Sequence, residues 1–92
     1  MNVAENQFDG RIPEHIFDLE NLIKIFLNNN HFSGRVPTEL GKMTSLSELE
    51  LWNNRMTGAM PSELGLLTAL EILGLSENEL TGVIPTEIQS LS

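Results

Sequence analysis

Four prolines, Pro13, Pro37, Pro61 and Pro85, stand 24 residues apart in a chain of 92. Asn6, Asn30, Asn54 and Asn78 keep the same step, and so do Gly10, Gly34, Gly58 and Gly82. A unit this short cannot bury its own apolar side. It becomes stable only by stacking on copies of itself, so the period prescribes a quasi-one-dimensional array. The register runs without insertion or deletion through the whole chain, and residues 1–92 form one array of about four repeats.

The apolar columns assign local structure. Ile25, Leu49 and Leu73 are followed two residues later by Leu27, Leu51 and Leu75, with Met1 and Val3 in the same two columns. That alternation is the period of a half-buried strand. The Asn three residues further on marks an inward turn, where its side chain satisfies backbone groups left unpaired. Stacked at strand spacing, roughly 4.8 Å, the asparagines form a ladder. The glycines suit a positive φ or a close approach, and each proline suits the start of a short helix. Ile16, Leu40, Leu64 and Ile88, then Leu19, Met43, Leu67 and Leu91, make one helical face, in part 3₁₀.

Charge narrows the partners. Thirteen acidic against five basic side chains leave a net charge of −8. A nucleic-acid partner would want a basic face, and an anionic membrane surface is disfavoured for the same reason. There is no cysteine, hence no disulfide and no thiolate zinc site. Small secreted domains commonly carry disulfides, so the lack points to a reducing compartment or to a segment cut away from its caps. No secretory leader precedes the repeats, no apolar run reaches the ~18–20 residues of a spanning helix, and no Asn-x-Ser/Thr glycan acceptor occurs.

Leu46-x-x-Leu49-x-Leu51-x-x-Asn54-x-Met56-Thr57-Gly58-x-Met60-Pro61 resembles the 24-residue, plant-type leucine-rich repeat, and Leu80-Thr81-Gly82-Val83-Ile84-Pro85 matches that pattern more closely. The resemblance covers the whole chain. It implies an α/β repeat solenoid: a right-handed superhelix with a concave parallel β-sheet, short 3₁₀ or α turns on the convex side, and a second short sheet after the Asn. Members of the family include receptor-like kinase ectodomains, receptor-like proteins and inhibitors of wall-degrading enzymes, which recognise proteins, peptides or small hormones. A cell-surface or extracellular location is implied with them. Cysteine-paired caps, usual in such ectodomains, are missing here, so the chain is expected to be part of a longer array whose open ends can self-associate.

Positions that do not repeat carry the specific information. On the concave strands the outward positions are Lys24, Phe26, Asn28 and Asn29, then Glu48, Glu50, Trp52 and Asn53, then Ile72, Gly74, Ser76 and Glu77. Trp52 is the only tryptophan. Aromatic anchors often dominate interfaces, and Glu48 and Glu50 beside Trp52 suit a ligand with a basic group next to an apolar one. Phe26, Glu48, Glu50, Trp52 and Ile72 are therefore the candidate ligand-binding residues. The competing reading is cross-strand packing alone. Glu39, Glu63 and Glu87 form an acidic column open to a cation, but helix starts favour a carboxylate anyway. Surface pairing with Asp9 and Glu14 suffices for Arg11 and Arg35. His15 and His31 read as surface residues.

No catalytic constellation is present. Gly41-Lys42-Met43 lacks the flanking residues of a phosphate loop, kinase motifs are missing, and no cofactor or metal is called for. The leading reading is a non-catalytic recognition scaffold that takes a protein or peptide ligand on its concave face. The alternatives are the ectodomain segment of a receptor-like serine/threonine kinase whose catalytic part lies outside this chain, and a structural, self-associating solenoid.

Overall fold

The computed structural model describes residues 1–19 and 21–81. Gly82, Ile84, Pro85, Glu87, Ile88 and Leu91 of the repeat columns lie outside the described residues. In chain order the strands are β1 (Asp9–Arg11), β2 (Lys24–Phe26), β3 (His31–Gly34), β4 (Glu48–Glu50), β5 (Arg55–Ala59), β6 (Ile72–Gly74) and β7 (Glu79–Thr81). Short 3₁₀ helices span Glu14–Asp18, Thr38–Lys42 and Ser62–Leu66. Each repeat thus contributes one strand to each of two parallel sheets, ordered β2-β4-β6 and β1-β3-β5-β7. Asn2 extends the first sheet by a parallel bridge to Phe26.

The two sheets differ in register. In β2-β4-β6 partners are one repeat apart: Lys24 opposes Glu48, which opposes Ile72, and Phe26 opposes Glu50, which opposes Gly74. In the second sheet Asp9 opposes His31 and Arg11 opposes Ser33, two residues short of the repeat. Equivalent residues of neighbouring repeats are therefore straight neighbours on the first sheet and diagonal neighbours on the second.

Between the sheets runs the asparagine ladder. Asn54 donates from Nδ2 to the carbonyls of Leu27 (3.0 Å), Leu51 (2.9 Å) and Trp52 (3.3 Å), and its Oδ1 accepts the Phe32 N–H (3.1 Å). Asn30 and Asn78 repeat the pattern toward Val3 and Leu51. One side chain thus closes its own turn and ties it to the repeat before. Just ahead of the ladder, Asn29 and Asn53 take positive φ, which Asn tolerates, and Glu5 and Glu77 share that conformation. Gly34 and Gly58 hold φ of 81° and 75°, so these two glycines mark turns that other residues enter only with strain.

Prolines 13, 37 and 61 precede the helices in extended conformation. Their carbonyls accept the N–H groups of Ile16, Leu40 and Leu64. Leu40, Met43, Leu46, Leu49, Leu51 and Met56 are wholly buried, so the middle repeat fills every apolar column. The first repeat departs from the period: Leu19 is 52% exposed and Phe17 is wholly buried. The later repeats carry Gly41 and Gly65 where the first carries Phe17. A ring at that position takes the inward site and leaves Leu19 on the surface.

Candidate concave binding face

Strand alternation buries Ile25, Leu49 and Leu73 and turns the flanking residues to the open side of β2-β4-β6. The outward rows are Lys24, Glu48 and Ile72, then Phe26, Glu50 and Gly74, with Asn28, Trp52 and Ser76 beyond the strand ends. Phe26, Glu48, Glu50 and Trp52 are half-buried and Ile72 is 45% exposed. The fold thus gathers the five candidate residues onto one surface. Asn28 departs from its outward reading: it is buried, and its row neighbour is the bulky Trp52.

Gly74 shapes this surface. A Cβ there would meet Trp52 Cδ1 at 2.8 Å and would collide with the Glu50 carboxylate. Both side chains lie over the glycine of the following repeat, so Trp52 is both an aromatic surface and the cover of its neighbour. A glycine inside a strand signals such close approach, and that signal was available in the sequence at a position occupied in other repeats by Phe26 and Glu50.

The carboxylates are not equivalent. Glu48 has Lys24 Nζ at 4.0 Å. Glu50 has no ion-pair partner among the described residues. Burial raises the Glu50 carboxyl above its ordinary 4.5, and the hydrogen bond and charge of Glu48 push the same way. A group raised in the fold contributes stability that is fully present below its unfolded pKa and lost as pH rises through the folded value. An NMR titration is expected to place the Glu50 midpoint above 4.5, and Glu48→Gln is expected to return only part of the shift, because burial remains. A Glu50 midpoint unchanged in Glu48→Gln would show that the two carboxyls do not interact.

The other candidates separate from this face. Glu39 and Glu63 lie in the first turns of their helices, each accepting from the hydroxyl before it, Thr38 and Ser62. Among the described residues no group of three or more potential metal ligands forms. His15 is exposed and 3.7 Å from Asp18, whose carboxyl is held below its ordinary range by the hydrogen bond and charge of Lys42. His31 is half-buried at the start of β3. Among the described residues no helix is long and apolar enough to cross a membrane.

The Leucine Rich Repeat family pattern matches residues 21–43, 45–67 and 69–91. No curated protein sequence matches the chain. Among solved structures, a chain of the BIR3–SERK2 complex from Arabidopsis thaliana superposes with a TM-score of 0.90 at 34% identity, over 95% of this chain and 47% of that one. The Arabidopsis receptor kinase HAESA, in complex with the peptide hormone IDA and the co-receptor SERK1, gives a TM-score of 0.88 at 40% identity, over 94% of this chain and 14% of that one. A plant ice-binding protein gives a TM-score of 0.90 at 29% identity, over 99% of this chain and 30% of that one. The chain spans less than half the length of each of these structures.

Proposed function

The chain belongs to the leucine-rich repeat family, and on that premise we propose that it is a non-catalytic recognition segment that binds an extended peptide or protein surface on its concave sheet. The observation that carries this reading is the pairing of Trp52 with Glu50, a half-buried carboxylate with no cation beside it among the described residues. A basic side chain from a ligand would supply the missing charge, and the aromatic faces of Trp52 and Phe26 would cover the apolar part next to it. Ile72 extends the apolar surface at the other edge. Binding rests on contact and shape, and no bond is made or broken.

The relatives support this class of target. HAESA is described in complex with a peptide hormone and a co-receptor, and the BIR3–SERK2 structure is a complex of two proteins. We also propose that the segment belongs to an ectodomain facing the cell exterior, the location that the family resemblance implies. The same solenoid also serves an ice-binding protein, so backbone shape alone does not choose the target, and the outward side chains do.

Selection of a displayed random peptide library on the immobilised chain tests the reading. Enriched peptides are expected to pair Lys or Arg with a large apolar residue. Trp52→Ala is expected to weaken them by about 30-fold, the size of an interface hot spot, and Glu50→Gln to weaken the basic ones selectively. Peptides that bind Trp52→Ala as tightly as the unaltered chain would place the site elsewhere.

A further inference from the structure

The second sheet carries a feature that the concave face does not use. Arg11, at the end of β1, lies with its stem over Gly34: a Cβ there would meet Arg11 Cγ at 3.2 Å and Nε at 3.5 Å. Arg35 repeats the arrangement one unit on, over Gly58, where a Cβ would meet its Cγ at 3.0 Å and its Nε at 3.1 Å. Both glycines hold positive φ and have no side chain to lift the arginine off the sheet. Both arginines are exposed. Surface pairing with Asp9 and Glu14 is not what holds them: among the described residues neither arginine makes an ion pair. In a chain of 13 acidic and five basic residues, two arginines laid down in this way and left unpaired are poorly explained as a solvated surface.

The shared cleft has a volume of about 520 Å³ and is lined by both arginines, Glu14, Glu39, Thr38 and Thr57 among others. The two-residue offset of this parallel sheet makes Arg11 and Arg35 diagonal neighbours, and a strand spacing of about 4.8 Å with a two-residue rise of about 6.6 Å sets their backbones roughly 8 Å apart. Alternate residues of an extended peptide are about 6.6–6.8 Å apart. We propose that the Arg11–Arg35 pair is a second binding site, taking an extended acidic peptide segment whose carboxylates stand at alternate positions. Each guanidinium offers a planar fork to one carboxylate, and the stem behind it lies over a glycine of the sheet. Glu14 and Glu39 select against bare anions. A free oxyanion brings no donor to those carboxylates, and a peptide brings backbone N–H groups that can donate to them.

The test uses the full chain and the peptide acetyl-Glu-Ala-Glu-amide, read by the NMR shifts of the arginine Nε–H groups. Saturable shifts are expected at Arg11 and Arg35 and not at Arg55, with the Gln-Ala-Gln analogue inert. Arg11→Gln and Arg35→Gln are each expected to weaken binding by about tenfold, the loss of one charge-assisted contact. Arg55→Gln and Trp52→Ala are expected to leave it unchanged, so this site and the concave face can fail separately. Equal shifts at all three arginines, or equal saturation by inorganic phosphate, would overturn the assignment.

Discussion

Asn54→Ala is expected to lower stability by about 2–4 kcal/mol, from a buried polar position. The substitution leaves the buried Phe32 N–H without its acceptor, which costs about 1–3 kcal/mol, and takes one of two amide donors from each of the Leu27 and Leu51 carbonyls, which keep Asn30 and Asn78. Asn54→Asp is expected to cost more. It sets carboxylate oxygens against the two carbonyls and buries a charge with no cation to meet it. Asn6 is the control. It is exposed and donates only within its own turn, to Val3 and Ala4, so Asn6→Ala is expected to cost less than about 1 kcal/mol. Urea unfolding followed by both tryptophan fluorescence and far-UV circular dichroism gives the comparison, with coincident curves as the check on two-state behaviour. Equal midpoints for Asn54→Ala and Asn6→Ala would mean that the ladder does not tie the repeats together.

Phe17→Ala is the second large effect, about 3–5 kcal/mol for removal of a wholly buried ring. Leu19→Ala should fall within about 0.5 kcal/mol, as at other exposed positions. The pair is informative because the 24-residue period assigns the opposite order, with Leu19 in the column of Met43 and Leu67. Both of those residues are buried. The same urea series decides it, and a Leu19→Ala loss as large as that of Phe17→Ala would restore the periodic reading.

These two residues mark where the sequence can and cannot be read. Asn54 was legible because the period repeats it and its chemistry has one use: a primary amide, with two donors and an acceptor, at an inward turn. Phe17 was not, because it occurs in one repeat only and two apolar residues competed for one inward site. The three 3₁₀ turns cover equivalent residues with like cap dihedrals, so packing against the neighbouring repeat decided between them. The concave candidates show the same division. Strand alternation put Phe26, Glu48, Glu50, Trp52 and Ile72 on one face, but which of them touch depended on Gly74, over which Glu50 and Trp52 lie. Asn28, read as outward by the same alternation, is buried beside the bulky Trp52 of its row, a neighbour that occurs in one repeat only.

By itself the sequence determined the stacked array, the strand and turn of each unit, the asparagine ladder and the face that is free to vary. All of these follow from periodicity, since a residue type recurring every 24 positions meets the same neighbours in every copy. The tertiary structure alone decided the offset between the two sheets and the inward turn of Phe17. It also decided the laying of Arg11 and Arg35 over the glycines of the following repeat. Those outcomes depend on how one repeat is displaced and rotated against the next, and that displacement is set by packing across the interface, which no single repeat encodes.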